Sequence, residues 1–308
     1  MRYISESGLL LVLVLIFCSC TSKDVGPKVK AAYYWSTTLK MDSVKTTFIH
    51  RHGITRLYVR YFDVVDTPSG PMPNATLLFN DTLPQELDII PTVFITNDCM
   101  KLQHDGLAEK IAQRVLQMNE TNDVMNVREI QIDCDWTMST RANFFRLLHD
   151  MRAYLKERGV GLSATIRLHQ LTQPPPPVDR GVLMLYNTGD FTDIECEKPI
   201  LDIQDVEPYL AGLAKYDLPL ASAFPLYRWR LLFLQNHFVD IIHSEDEYTE
   251  MQGDTIVVRE PMLDDILNVK EAVKKRRPEL TREVILYELN EYNLTRFKDE
   301  DYEKILAD

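Results

Sequence analysis

Two aspartates, Asp133 and Asp135, are the side chains best placed in this sequence to do chemistry. They end the β-rich run Glu129–Trp136 (EIQIDCDW). Residues two apart on a strand share a face, so both carboxylates point one way and Ile130, Ile132 and Cys134 the other. Side-by-side carboxylates repel, and one then stays protonated above the usual range unless a cation lies nearby. A site can keep a carboxylic acid near neutral pH in this way. Two solvated aspartates ahead of a helix would read the same in sequence.

Cations and flat rings lie at matching places. Arg60 shares strand parity with Tyr58 and Phe62, and Arg167 and His169 share it with Ser163 and Thr165. Facing the same mouth, they would neutralise the aspartates or grip an anionic sugar or phosphate. Plain structural salt bridges are the alternative. Trp35, Trp136, Tyr227 and Trp229 fall near strand ends, where aromatic faces stack on sugars; packing beneath a loop is the other fate of such rings. The histidines show no metal-ligand spacing and no Gly-rich phosphate loop occurs, so neither metal nor cofactor is expected. The 34 basic against 46 acidic residues, net −12, argue against a nucleic-acid partner.

The elements that must position these residues alternate. Strand-like runs fall at Val29–Trp35, Ile54–Val64, Leu87–Thr96, Glu129–Trp136, Gly161–Leu168, Val182–Tyr186, Pro219–Tyr227 and Val284–Leu289. Helical spacing falls at Met41–His52, Asp105–Asn119, Ser139–Arg158, Asp205–Ala214, Asp265–Lys275 and Lys298–Ala307. A Pro/Gly/Asn-rich excursion, Thr67–Asp81, interrupts the second unit, and 228–264 matches neither period. Strand–helix alternation implies parallel strands joined by right-handed crossovers. Eight units over about 280 residues predict an α/β fold, a single-domain (β/α)8 TIM barrel spanning 29–308. A doubly wound open sheet is the rival, but it lacks its glycine-rich first turn.

At this point the chain resembles the glycoside hydrolases of the family-18 chitinase type, which carry D-x-x-D-x-D-x-E on strand four. Asp133 and Asp135 match the second and third aspartates, and Trp136 a residue common there. Ile130 replaces the first aspartate, and Thr137 stands in the place of the catalytic glutamate. On strand six Met184-Leu185-Tyr186-Asn187 is similar to M-x-Y-D, and Ala32-Tyr33-Tyr34-Trp35 to the family's first strand. The resemblance implies a barrel acting on or binding a glycan that contains N-acetylhexosamine. It gives Asp135 the orienting of a substrate acetamide, Asp133 its support, and Tyr186 a grip on the acetamide, with Asn187 beside it. Family-18 enzymes use that acetamide as nucleophile and the glutamate as acid. A threonine hydroxyl cannot serve as that acid near neutral pH. Either another carboxyl replaces it, with Glu288 on strand eight foremost and Glu291 and Asp63 behind, or the barrel binds glycan without cleaving it. A structural envelope protein with a vestigial pocket is a third reading.

The first residues read as an address. The apolar run Leu9–Phe17 is too short to span a bilayer, which needs about 20 residues, and has signal-peptide proportions. The stretch Phe17-Cys18-Ser19-Cys20 resembles a bacterial lipobox. The expected organisation is a signal peptide over 1–19, lipidation at Cys20, a tether over 20–28 and then the barrel. This places the protein in the cell envelope, held to the membrane by its N-terminal lipid on the bacterial outer membrane or the periplasmic face. An ordinary cleaved signal is the alternative. The sequence is silent on oligomeric state. Cys134, inside an apolar strand, is expected to be a buried small hydrophobe.

Overall fold

The computed structural model describes residues 28–242 and 248–307. The expected signal peptide, Cys20 and the tether up to residue 27 lie outside the described residues.

Eight parallel strands close on themselves. They are β1 (Val29–Tyr34), β2 (Arg56–Val65), β3 (Asp88–Ile95), β4 (Glu129–Asp133), β5 (Gly161–Arg167), β6 (Arg180–Met184), β7 (Leu220–Pro225) and β8 (Glu283–Tyr287). Each pairs with the next, and β8 pairs with β1. This is the (β/α)8 barrel rather than an open sheet. Most strands run near-continuously apolar because both faces are covered.

The covering helices include α1 (Ser43–His52), α2 (Leu107–Thr121), α3 (Arg141–Lys156), α4 (Leu263–Arg276) and α5 (Asp299–Leu306). Their limits follow from local chemistry. The Asp42 carboxylate accepts the Lys45 N–H at 3.0 Å to start α1, and Gly53 at φ 64° ends it in the left-handed region. Helix α3 buries Phe144, Leu147, Leu148, Met151 and Leu155, one stripe at helical spacing.

Four stretches depart from simple alternation, one being the β5–β6 link, which carries only a 3-10 turn, Leu168–Thr172. The excursion after β2 forms no helix; Met72–Asn74 pairs antiparallel with β2, and Leu78–Phe79 pairs with Thr38–Leu39. The helix expected over 205–214 is broken into Ile203–Val206, a 3-10 turn Glu207–Tyr209 and Leu210–Leu213. Pro208 has no N–H to continue a helix, which accounts for the break. The unassigned segment after β7 forms a three-stranded antiparallel sheet, with Trp229–Leu234 between His237–Ile242 and Asp254–Arg259. Its central strand is apolar without helical spacing, while its flanking strands keep exposed polar residues, so neither period dominates the segment.

Strand parity divides the core into two layers. Leu57, Val59, Ile130, Ile132, Cys134, Leu162, Ala164 and Ile166 pack outward against the helices. Ala31, Tyr33, Tyr58, Ile90, Val182, Met184, Ala223 and Ile285 fill the barrel. Cys134 is 1% exposed, as expected of a small apolar side chain. At the N-terminal ends of the strands Arg180 donates to Glu129 at 2.7 Å and to the Tyr58 hydroxyl, and Arg56 and Tyr58 both donate to Glu283, at 2.9 and 2.6 Å. These charges are partly buried but mutually satisfied, the condition for tolerating them inside a fold.

One buried cation caps the C-terminal helix. Lys270 of α4, 4% exposed, donates its ammonium to the carbonyls of Lys304 at 2.9 Å, Ile305 at 2.8 Å and Ala307. These are the carbonyls that α5 cannot satisfy within itself. Lys270→Met is expected to cost about 2 kcal/mol, read as a lowered melting temperature, with exchange protection lost first in Asp299–Leu306. An unchanged melting temperature would exclude this role.

Candidate functional site

The C-terminal ends of the strands carry the site, and a β-bulge shapes its first half. Arg60 pairs with Thr92 across β2–β3 while Phe62 pairs with Val93, so Tyr61 is the extra residue. Tyr61 and Phe62 consequently both pack in the outer layer. Parity counting put Phe62 on the face of Arg60; the bulge moves it off that face and brings Asp63 there instead. Arg60 Nε donates to Asp63 Oδ1 at 2.8 Å, and Nη2 donates to Oδ2. Its Nη1 donates to the Trp35 carbonyl at 3.3 Å, and its guanidinium lies 5.5 Å from the Trp35 ring centroid.

The second half is built by β4 and β5. Asp133 and Arg167 both point inward, as parity predicts. Asp133 is 3% exposed and accepts from Thr165 Oγ1 at 2.6 Å and Arg167 Nη2 at 3.3 Å. Arg167 Nε donates to Asp135, whose side chain is 55% exposed at the rim. One guanidinium therefore bridges both aspartates. Burial pushes the Asp133 carboxyl above its ordinary range; Arg167 pulls it back, Asp135 adds to the rise, and the net direction is upward. Burial works against the charge on Arg167, but Asp133 and Asp135 outweigh it and hold the guanidinium charged.

These groups border a cavity of about 480 Å³. Its walls are aromatic. Tyr186 lies 4.9 Å from Tyr287 and 6.0 Å from Tyr227 between ring centroids, Tyr227 lies 5.4 Å from Trp229, and Trp35 lies 5.7 Å from Tyr287. The Tyr227 hydroxyl donates to Asn187 Oδ1, and Asn187 sits in the left-handed region at φ 56°. Burial raises the Tyr186, Tyr227 and Tyr287 phenols, which therefore stay neutral. Trp35, Arg60, Asp133, Arg167, Tyr186, Asn187, Tyr227, Trp229 and Glu288 all line this cavity, so the structure brings together most of the residues singled out from sequence.

Two expectations fail, for one geometric reason each. Trp136 does not line the mouth: β4 stops at Asp133, and the ring turns under α3, 1% exposed, 6.2 Å from Phe144 and 5.3 Å from Phe145. His169 is exposed because β5 ends at Arg167 and a 3-10 turn, Leu168–Thr172, carries it away from the cavity. Glu288 does reach the cavity expected of it, from just beyond a strand rather than within one. Strand β8 ends at Tyr287, the Tyr287–Glu288 peptide is cis, and both side chains line the cavity. Thr137 is exposed; its N–H donates to Thr140 Oγ1 and its hydroxyl meets that of Ser139, both at 2.9 Å.

Sequence reasoning missed Asp63 as the partner of Arg60, Tyr287, and the wall formed by Ile241 and Ile242. Tyr287 was legible as the residue before Glu288, had β8 been ended two residues earlier. Nothing in the pattern of 228–264 announced that its sheet returns to the mouth. Among the described residues no three His, Cys, Asp or Glu side chains come together to hold a metal ion.

No family profile matches the sequence, and no curated protein matches it. Solved structures do match. The Bacillus cereus spore cortex-lytic enzyme SleL superposes with TM-score 0.56 at 16% identity, covering 91% of this chain and 75% of that one. The GH18 chitinase ChiB from the chitin utilization locus of Flavobacterium johnsoniae gives 0.57 at 13%, covering 91% and 93%. The Ostrinia furnacalis Group IV chitinase in complex with allosamidin gives 0.53 at 12%, covering 90% and 97%. The resemblance noted on strands four and six therefore holds at the level of the barrel fold.

Two outcomes test this geometry. An acid whose pKa is raised by folding loses stability as pH climbs from its unfolded value, 3.8, to its folded one, because only the unfolded chain releases the proton. The melting temperature of the protein should thus fall relative to Asp133→Asn as pH rises above 3.8; parallel curves would refute the raised pKa. Trp136→Ala should cost about 3–5 kcal/mol of stability, by chemical denaturation, as for a core aromatic.

Proposed function

We propose that the protein is a lipid-anchored barrel of the cell envelope that binds a glycan, with N-acetylhexosamine units as the default ligand, in the cavity at the C-terminal ends of its strands. The observation that carries this reading is the wall of Trp35, Tyr186, Tyr227, Tyr287 and Trp229 around a cavity whose inner Asp133 is bridged by Arg167 to Asp135 at the rim. Pyranose rings present C–H faces that stack on such rings, and their hydroxyls need the fixed donors and acceptors that ion-paired side chains supply. Tyr186 keeps the place that the resemblance gives to an acetamide-holding phenol. Asp135 is held by Arg167, and the acid position is a threonine outside the cavity, so binding is supported over cleavage.

A second reading, hydrolysis of a glycosidic bond, is favoured by one observation: Glu288 and Asp133 line the same cavity. Two carboxyls in one mouth are the minimum for acid and base roles. The solved neighbours named above as chitinases and a cortex-lytic enzyme give this reading its precedent.

The anchoring rests on the lipobox-like stretch at Cys20. Cys20→Ser should move the protein from the membrane fraction to the soluble one; unchanged fractionation would remove the lipid from the proposal.

Calorimetric titration with chitotetraose and a wider glycan panel separates the two functional readings. The binding reading expects saturable binding without product, weakened roughly tenfold, ~1.4 kcal/mol, by Trp35→Ala. Product formation that disappears in Glu288→Gln would install the hydrolytic reading instead. A panel with no ligand at all would leave only an envelope protein with a vestigial pocket.

A further inference from the structure

The pair Arg60–Asp63 lies at the cavity edge without belonging to the Asp133–Arg167–Asp135 bridge. Its construction is specific. A bulge at Tyr61 is required to bring Asp63 to the face of Arg60, since residues three apart on a regular strand point to opposite sides. Both residues are largely buried, with side chains 18% and 11% exposed. The carboxylate takes two N–H groups of the guanidinium, fixing its plane. A third N–H holds the Trp35 carbonyl at 3.3 Å, and the planar cation lies 5.5 Å from the indole centroid. Trp35 is thus gripped at its backbone and at its ring by one side chain.

Two tyrosine rings also flank the indole. Tyr33 meets it edge-on at 5.8 Å and Tyr287 lies tilted at 5.7 Å. Aromatic contacts of this kind tolerate rotation of the partner, whereas the forked ion pair does not. Trp35 stands one residue beyond the end of β1.

We propose that Arg60, locked by Asp63, is a positioning residue that sets the Trp35 indole as the sugar-stacking face of the cavity. This rests on the glycan-binding reading. The pair acts through the indole and makes no contribution to affinity once the indole is gone.

The test is a double-mutant cycle on the affinity for chitotetraose, or for the first glycan the panel identifies, using Arg60→Gln, Trp35→Ala and both together. Arg60→Gln is expected to weaken binding about five- to tenfold in the native background and by less than about twofold in the Trp35→Ala background, because the two changes remove one interaction. Asp63→Asn should reproduce the effect in part. Arg60→Lys, which keeps the charge but not the fork, should fall between and carries the cycle if Arg60→Gln fails to fold. The ligand-induced change in tryptophan emission should shrink in Arg60→Gln by the portion that Trp35→Ala removes. Equal losses in both backgrounds would overturn the proposal while leaving the binding reading intact. Failure of the unaltered protein to bind any glycan would take down both.

Discussion

The Arg167 guanidinium is the interaction on which the site depends. Asp133 is buried beneath the cavity, and a lone carboxylate there would cost several kcal/mol of desolvation. Arg167 and the Thr165 hydroxyl make it tolerable, at 3.3 and 2.6 Å. The same arginine reaches outward to Asp135, so the inner and the rim carboxyl are coupled through one planar cation. The backbone follows. The Arg167 N–H donates to Gln170 Oε1 at 2.9 Å, and Gln170 Nε2 donates to the Trp136 carbonyl at 3.1 Å. Trp136, wedged between Phe144 and Phe145, then fixes the loop that carries Asp135. A core tryptophan is thereby part of the site's geometry without touching its cavity.

The barrel places ionic networks at both ends and neutral side chains between. Arg56, Arg180, Glu129 and Glu283 close the N-terminal end, and Arg60, Asp63, Asp133 and Arg167 the other. Between them the Tyr33 and Tyr58 rings meet tilted at 4.9 Å, with the Tyr33 hydroxyl donating to Gln131 at 2.8 Å. Filled layers of this kind make a barrel interior a packed core and leave the loops to form the pocket. Here the loop after β7 does so with a whole sheet, which contributes Trp229, Ile241 and Ile242 to one wall.

Most of this was legible because parity is a local rule. Ile130, Ile132 and Cys134 sort outward and Asp133 inward from nothing more than their spacing, and Arg167 follows Thr165 in the same way. The rule fails where the backbone stops being a regular strand. A bulge at Tyr61 exchanges Phe62 for Asp63, and no residue type there advertises it. Apolar runs also outlast the hydrogen-bonded strands: β4 was read through Trp136 but ends at Asp133, and β8 through Leu289 but ends at Tyr287. Beyond those ends the alternation has no force, which is why Trp136 and His169 leave the cavity while Tyr287 and Glu288 share it. Of the 229–259 strands, the first two form a hairpin across the two-residue turn Gln235–Asn236, both at positive φ, which no glycine marks; only the third strand pairs at longer range.

The ion pairing also constrains what the cavity can select. Arg60 is matched by Asp63 and Arg167 by Asp133 and Asp135, so both of these cations have counter-ions before any ligand arrives. A bound sugar would meet oriented dipoles and ring faces rather than a bare charge. Affinity built that way depends little on ionic strength, because short paired contacts are screened far less than separated charges. The formal −12 of the chain acts at longer range and disfavours approach by polyanions. The surplus acid that argues against nucleic acid and the paired cations inside the barrel thus both work against an anionic ligand.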